Sequence, residues 1–160
     1  MPHFPRPGWT PVEPFPFANA RRTFAGPTSS KGLLMLDYYR RPDGGMAAVA
    51  SFGPLSEGAP GLVHGGMILT VLDEALGAAA WLAGHPVLTV RLETEFRAGV
   101  PVRAQLHVET RILAVRRRMV FVEGSLLGVD GKFYAGAKGQ FLEVNEETQR
   151  RIFGRTYGRP

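Results

Sequence analysis

The sequence predicts an α+β fold, in which a curved antiparallel sheet wraps around one long central helix. The first observation is the order of its segments, ββαββββ along 160 residues, the length of one domain. The second is that the single long helix is apolar nearly all round, so every side of it has to be covered. A strongly curved sheet covers most of such a helix, and a second subunit can cover the remainder.

The central helix is predicted over residues 65–83. Apolar residues fill most of this segment, and the Gly-His-Pro sequence at 84–86 supplies a stop signal after it. A helix of this length would span about 28 Å. Asp73 and Glu74 lie at its middle. Because each such carboxylate costs about 2.5–3.5 kcal/mol at the centre of a bilayer, we expect no membrane span.

The remaining regular segments of the sequence are predicted to be strands. The first two flank a Pro-Asp-Gly-Gly turn, which predicts a β-hairpin. In residues 102–112 the even positions are apolar or Thr and the odd ones, including His107, are polar. This alternation is typical of a strand with one face in water. The same alternation in 88–96 predicts four inward side chains, Leu88, Val90, Leu92 and Phe96. The predicted strands are 33–39, 46–52, 88–96, 102–112, 119–127 and 132–144.

Composition divides the chain into three parts. Residues 1–30 form a Pro-rich arm that cannot be a long helix, residues 31–146 the folded domain, and residues 147–160 a C-terminal tail. The start of the chain has no apolar run, so no signal peptide is predicted and we expect a cytoplasmic protein. The absence of cysteine excludes disulfides and thiolate chemistry.

The charge of the chain favours an anionic partner. Basic residues outnumber acidic ones by 19 to 14, and most are Arg, whose planar fork of donors suits phosphate. Nucleic acid and a phosphorylated cofactor are both anionic partners of this kind. A genome that favours Arg over Lys would explain the many arginines equally well. No nucleic-acid-binding motif is visible, so we expect no nucleic-acid partner.

The two acids of the central helix are the first candidates for chemistry. Consecutive helical residues point about 100° apart, so Asp73 and Glu74 face different surroundings. A carboxylate held against apolar walls has a raised pKa, which suits a general base or a nucleophile. The alternative is that one or both reach a solvated helix edge or make a structural ion pair.

The start of the helix offers a second candidate, the segment Val63-His64-Gly65-Gly66. The first amides of a helix have no internal partners and lie at the positive end of its dipole. Because glycine has no side chain, a ligand oxygen can approach these amides closely. Unpartnered amides of this kind can form an oxyanion hole. The alternative is a plain loop-to-helix junction in which His64 caps or packs.

The spacing of these two candidates has a geometric consequence. Gly65 and Asp73 are eight residues apart, or about 12 Å along the helix axis. A base and an oxyanion donor acting on one carbonyl must each lie within about 3 Å of it. If both act, Gly65 of one chain therefore has to meet Asp73 of another across a two-fold axis.

The joint motif is similar to that of hotdog-fold acyl-CoA thioesterases of the PaaI-like type. Residues 58–66 read Gly-Ala-Pro-Gly-Leu-Val-His-Gly-Gly, with Asp73 nine residues after His64. The pattern is closest to a mitochondrial branch with a Gly-x-Pro-Gly-x-x-His-Gly-Gly motif, and the similarity runs from about Glu57 to Val144. The resemblance implies a hotdog fold and hydrolysis of an acyl-CoA to a free acid and coenzyme A.

The same resemblance implies roles for individual residues. Asp73 activates water or attacks the thioester carbonyl, the Gly65 amide polarises that carbonyl with His64 beside it, and Thr89 positions the water or the carboxylate. Thr89 falls on the polar face of its predicted strand, so only a bulge or a crevice between subunits would bring it to Asp73. Gly58 is a departure, since some relatives carry Asn or Gln there.

Contacts with coenzyme A are implied at two places, Glu95 and Arg97 on the strand after the helix, and Arg117, Arg118 and Met119 at a later hairpin. A charge run such as 116–118 is also what an ordinary solvated turn contains. Coenzyme A enters as part of the acyl-CoA substrate, so no separate cofactor and no metal are expected. The expected assembly is at least a homodimer, with a homotetramer as the further expectation.

Two other functions remain open on the sequence. A hotdog 3-hydroxyacyl dehydratase or hydratase would need a His-acid pair, which His64 and Asp73 of different chains can supply in principle. A non-catalytic acyl-CoA sensor would keep the pocket without the reaction. The sequence contains no visible DNA-binding helix-turn-helix segment, which weakens the sensor hypothesis.

Overall fold

The computed structural model describes residues 4–16 and 33–157. The order of α1 and the six long strands is the predicted ββαββββ, and α2 begins at the last residue of the predicted domain and continues into the predicted tail. The boundary expected at residue 30 falls outside the described residues. The elements are β1 (Thr10–Pro11), β2 (Leu34–Arg40), β3 (Met46–Phe52), a 3₁₀ turn (Pro54–Ser56), α1 (Gly65–Leu82), β4 (Val87–Phe96), β5 (Gln105–Arg116), β6 (Met119–Gly128), β7 (Phe133–Glu143) and α2 (Glu146–Tyr157).

The seven strands form one antiparallel sheet in the order β1-β2-β3-β5-β6-β7-β4. α1 packs against strands β3 to β7, so the predicted helix-in-sheet architecture is confirmed. A Cβ atom at Gly124 of β6 would lie 2.6 Å from Leu76 Cδ1, and glycine there lets the helix approach the sheet closely. The buried residues of α1 are Ile68, Val71, Leu72, Ala75, Leu76, Ala78, Ala79 and Ala80.

The helix is covered by the sheet on one side only. Leu69, on the other side, is 39% exposed. By length and apolar composition α1 also meets the requirements of a membrane-spanning helix, a test that the core helix of a folded domain passes as well. The expectation that no segment spans a membrane stays a prediction.

A β-bulge in β4 changes which side chains face the helix. β4 is an edge strand, and its pairing with β7 shifts register between Thr89 and Arg91. The extra residue reverses the alternation of side chains at that point. The prediction that Leu88 and Val90 point inward is therefore wrong, and they are 44% and 58% exposed. Beyond the bulge Leu92 is half-buried, which agrees with the predicted alternation.

The described part of the arm, residues 4–16, wraps around the opposite edge of the sheet. β1 pairs with β2, and the rings of Phe4 and Trp9 lie 4.6 and 5.6 Å from the ring of His107 on β5. His107 belongs to the polar set that the sequence places in water, yet it is 0% exposed. That expectation is wrong because the arm covers this part of the outer face.

The bounds of β5 also differ from the prediction of 102–112. The strand begins at Gln105, because Arg103 has a left-handed φ of 73° and belongs to a turn. It then continues to Arg116 as one arm of a hairpin with β6. The charged residues 116–118 therefore lie at the tip of that hairpin, at the end of the sheet where β4 begins.

Candidate active site

Asp73 points from the middle of α1 toward the start of β4. The Thr89 hydroxyl donates a hydrogen bond to Asp73 Oδ1 at 2.8 Å. With uninterrupted alternation Thr89 would share a face with Arg91, but the bulge separates the two and turns Thr89 toward the helix. The structure thus brings these two predicted site residues together within a single chain.

The N-terminus of α1 presents a glycine amide that has no partner among the described residues. His64 is the N-cap, and its Nδ1 accepts a hydrogen bond from the Gly66 N–H at 2.9 Å. The Gly65 N–H donates to no described residue. The nearest atom to a Cβ placed on Gly65 is Phe96 Cε1 at 3.8 Å. This amide is therefore available to an incoming oxygen atom, with an aromatic ring beside it.

The loop before the helix explains why Gly58 departs from the Asn or Gln of some relatives. The Gly58 N–H donates to the Leu62 carbonyl, and the Glu57 carboxylate accepts from the Gly61 N–H, so the loop closes on itself. A Cβ at Gly58 would lie 2.9 Å from the Cα of His64. A side chain there would force the loop away from the N-cap residue, so this chain cannot offer that contact without a rearrangement.

The two halves of the candidate site do not meet in one chain. Gly65 opens α1 and Asp73 lies eight residues further along the same helix, about 12 Å away along its axis. α1 is a continuous helix over that distance. One carbonyl cannot lie within hydrogen-bond distance of both groups. The separation that the sequence predicts between Gly65 and Asp73 is therefore present in the structure.

The residues expected to contact coenzyme A fall into two groups in one chain. Arg97 forms an ion pair with Glu95 at 2.6 Å, at the end of β4 near Gly65. Met119 lies opposite Leu142 of β7, which lies opposite Leu88 at the start of β4. From residue 88 to residue 95 a strand extends about 23 Å. The structure therefore does not bring the two groups together within one chain.

The arginines of the β5–β6 hairpin differ in their availability. The Arg118 guanidinium donates two hydrogen bonds to the Glu143 carbonyl, at 3.0 and 3.2 Å. Arg117 is exposed, has a left-handed φ of 55°, and makes no ion pair with a described residue. Arg117 is therefore the freer cation of the two, whereas Arg118 also fastens the hairpin to the end of β7.

Glu74 points to a different side of α1, toward Tyr38 of β2. Burial raises the pKa of Glu74 to about 7, and the charge of Asp73 adds to the rise, while the Tyr38 hydroxyl opposes it. Burial, and then the charge of Glu74, raise the pKa of the Tyr38 hydroxyl as well. The two acids therefore have separate surroundings, as their positions on the helix predict.

Glu74 should make the stability of the fold depend on pH. Its pKa is about 7 in the folded chain against 4.5 for an ordinary Glu, so the folded state holds the proton more tightly and loses stability as pH rises between these values. We expect Glu74→Gln to be more stable than the wild type by about 1–3 kcal/mol at pH 8, because one pKa unit corresponds to about 1.4 kcal/mol. The difference should nearly vanish at pH 4.5.

Urea unfolding of both proteins at the two pH values measures this effect. The exposed Glu93→Gln variant is the matched control, and its stability relative to the wild type should change little with pH. An equal stability difference for Glu74→Gln at both pH values would show that Glu74 ionises in the folded chain as it does in the unfolded one.

Two residues near the site were missed as site residues by the sequence analysis. Phe96 was assigned to the core, yet its ring lies beside Gly65 and is 52% exposed. Tyr38 lies in the predicted strand 33–39 without any predicted role, yet it faces Glu74. The position of Phe96 between the charged residues Glu95 and Arg97 was the available signal for the first. The sequence held no such signal for the second.

The fold and this site together define a class of protein. A long helix lies across a curved antiparallel sheet, which is the hotdog arrangement, and in this chain an acid lies at the middle of the helix and a glycine amide opens it. Among residues 4–16 and 33–157, no three His, Asp or Glu side chains cluster as metal ligands would. The expectation of a site without metal stays a prediction.

Comparison with known proteins agrees with this class. The model of the thioesterase superfamily matches residues 60–132. A solved thioesterase superfamily protein superimposes with a TM-score of 0.64 at 25% identity, over 68% of this chain and 54% of that one. The smu.793 protein of Streptococcus mutans UA159, bound to acetyl CoA, superimposes with a TM-score of 0.60 at 16% identity, over 72% and 86% of the two chains. The matched region is similar to the thioesterase superfamily, and the chain has a hotdog fold.

Sequence relatives carry a more specific name. The acyl-coenzyme A thioesterase THEM4 of Bos taurus is 32% identical over 96 residues, which are 59% of this chain and 39% of that protein. The chain thus matches well under half of the length of this relative. The aligned part of THEM4 is therefore a domain-sized piece of it.

Proposed function

We propose that the chain hydrolyses acyl-CoA thioesters to a free acid and coenzyme A. The observation that carries the proposal is the hydrogen bond from Thr89 to Asp73 in the middle of a helix that begins with a free glycine amide. It supplies an oriented carboxylate and an oxyanion donor, the two groups that acyl transfer to water requires. The name of the Bos taurus relative supports acyl-CoA as the substrate.

The Thr89 hydroxyl holds one oxygen of the Asp73 carboxylate and leaves the other for chemistry. As a general base, Asp73 takes a proton from water while the water oxygen bonds to the thioester carbon. As a nucleophile, it bonds to that carbon itself, and water then hydrolyses the anhydride. In both routes the carbonyl oxygen becomes an oxyanion, the C–S bond breaks, and the thiolate of coenzyme A takes a proton.

The oxyanion donor for each Asp73 comes from a second chain in this proposal. The Gly65 amide of the same chain lies about 12 Å away along the helix. Two antiparallel α1 helices around a two-fold axis would place the Gly65 amide of each chain opposite Asp73 of the other. The exposed Leu69 then finds cover in the same contact, which supports at least a dimer.

The same arrangement accounts for the separation of the residues expected to contact coenzyme A. Arg97 and Glu95 lie near the Gly65 end of β4, whereas Arg117 and Arg118 lie near its other end. Reversing the direction of β4 in a second chain brings the first group of one chain toward the second group of the other. Arginine forks then contact the phosphates of coenzyme A from both chains.

The dehydratase or hydratase alternative is weakened by the position of His64. Its Nδ1 already accepts the Gly66 N–H, and the ring serves as the N-cap of α1. A His base for dehydration needs an unprotonated ring nitrogen toward the substrate, whereas a neutral imidazole whose Nδ1 accepts a hydrogen bond carries its proton on Nε2. The capping role therefore favours hydrolysis by Asp73, with His64 fixing the turn that presents Gly65.

Release of free thiol from acyl-CoAs of different chain length tests the proposal, together with the variant Arg97→Ala. We expect this variant to raise KM for acyl-CoA about 10-fold at similar kcat, because a phosphate contact far from the carbonyl stabilises ground and transition states alike. The effect should fade with an acyl-pantetheine thioester, which lacks the nucleotide phosphates. Arg111→Ala is the matched control, because Arg111 is an exposed arginine of β5 that pairs with Glu123 of β6.

One result would contradict the proposal, and another would contradict only the role of Arg97. No thiol release above the uncatalysed rate from any acyl-CoA would remove the hydrolase activity. Equal losses for Arg97→Ala on the full and the truncated substrate would remove Arg97 from the phosphate site while leaving the hydrolysis itself in place.

A further inference from the structure

Gly77 lies one helical turn after Asp73, on the same side of α1. Residues four apart on a helix have Cβ positions about 5–6 Å from each other. Thr89, which binds Asp73, lies opposite Phe141 in the β4–β7 ladder. The ring of Phe141 is also the nearest neighbour of Gly77. Gly77 therefore borders the Asp73–Thr89 pair directly.

Neither backbone geometry nor packing requires glycine at this position. Gly77 lies inside a regular helix, where glycine is less favourable than alanine. A Cβ atom added there would lie 3.7 Å from Phe141 Cε1, an ordinary van der Waals contact. By contrast, a Cβ at Gly139 of β7 would collide with the Phe141 ring, and one at Gly124 with Leu76. Those two glycines are needed for packing, and Gly77 is not.

The residues along this face of α1 form a surface that could contact an acyl chain. Leu69, Asp73 and Gly77 follow one another at intervals of four, and Leu69 is exposed. The ring of Phe141, which is only 1% exposed, lies beneath Gly77 as part of the core. A thioester carbon within about 3 Å of the Asp73 carboxylate lies within about one helical turn of residue 77, close enough for the next carbons of an acyl group to reach it.

We propose that Gly77 is a specificity-determining residue, and that its missing side chain leaves the space in which acyl groups larger than acetyl lie next to Asp73. This inference rests on the proposed thioester hydrolysis. It predicts that bulk at position 77 selects against large acyl groups, while the part of the substrate shared by all acyl-CoAs is unaffected.

The variants Gly77→Ala and Gly77→Val test this inference, with acetyl-CoA and phenylacetyl-CoA as substrates. One added methyl group in an apolar pocket changes discrimination by about 10-fold or more. We expect kcat/KM for phenylacetyl-CoA to fall at least about 10-fold for Gly77→Ala, and further for Gly77→Val, while the value for acetyl-CoA stays within about 3-fold of the wild type.

The melting temperature separates this role from a structural one. Replacing a helical glycine by alanine should raise Tm by about 2–4 °C in a domain of this size if the space is unused by the fold. Ala83→Val adds two methyl groups at the exposed end of α1, far from Asp73, and is the control. It should leave the ratio of the two substrates unchanged.

Several outcomes would overturn the inference. A lower Tm for Gly77→Ala would make the glycine a packing requirement. An unchanged substrate ratio would remove residue 77 from the acyl site, and an equal loss on both substrates would place it against the coenzyme A part. If the wild type releases no thiol at all, the proposed hydrolysis fails instead. Calorimetric binding of the two acyl-CoAs to wild type and Gly77→Val then decides the question, since an unchanged affinity ratio overturns the role of Gly77.

Discussion

Asp73→Asn should lower kcat for acyl-CoA hydrolysis by about 10²–10⁴-fold while the protein stays folded. This is the usual scale of acid–base catalysis by a positioned side chain. Asn is nearly isosteric with Asp, and its side-chain oxygen can still accept the hydrogen bond from Thr89. What Asn lacks is the second carboxylate oxygen that takes a proton or attacks the carbonyl. Steady-state thiol release and circular dichroism of the same samples measure both parts of the prediction.

Glu74→Gln is the matched control for this experiment. It changes the adjacent residue of the same helix in the same way, but Glu74 faces Tyr38 and not Thr89. Its effect on kcat should be far smaller than that of Asp73→Asn. Asp73→Asn activity within a few fold of the wild type would remove Asp73 from the mechanism. A larger loss for Glu74→Gln would identify Glu74 as the acid that acts.

The central helix and the order of the strands could be predicted because each depends on local chemistry. The apolar run from 65 to 83 and the Gly-His-Pro stop leave little choice for α1, which ends at Leu82 in the structure. A helix that needs cover on every side then restricts how the strands can be arranged around it. No long-range detail is needed for this part of the inference.

The face of β4 could not be predicted, because a bulge is a property of strand pairing. No glycine or proline marks the bulge between Thr89 and Arg91, and the alternation in 88–96 continues through it. The register of β7 against β4 decides where the extra residue falls. The same bulge brings Thr89 to Asp73, so the feature that defeats the alternation is the one that builds the site.

The burial of His107 depends on contacts between distant parts of the chain. Its strand reads as half-exposed, and the arm that covers it begins about a hundred residues earlier. Burial lowers the pKa of His107, although the carboxylate of Glu109 near Nε2 opposes the shift. Arg6 of the arm and Arg41 also face this pair of residues. Sequence periodicity reports how one strand meets the core and carries no information about a segment laid over its other face.

Mixing two inactive variants should restore activity if the site is shared between chains. In one variant Asp73 becomes Asn, and in the other Gly65 becomes Leu, whose bulk blocks the amide. In a mixed dimer one site carries both defects and the other carries neither. Random exchange makes mixed dimers about half of the population, and half of their sites are intact, so about a quarter of the wild-type activity should return.

The choice of Leu at Gly65 follows from the local space. A Cβ atom there would meet Phe96 only at 3.8 Å, so a smaller residue would leave the amide partly accessible. The matched control mixes Asp73→Asn chains with chains that carry both substitutions, because no dimer from that mixture contains an intact site. Native mass spectrometry establishes that chains have exchanged. Exchange without recovery of activity would mean that Gly65 and Asp73 act within one chain or that one of them does not act, and the 12 Å helical spacing argues against the first.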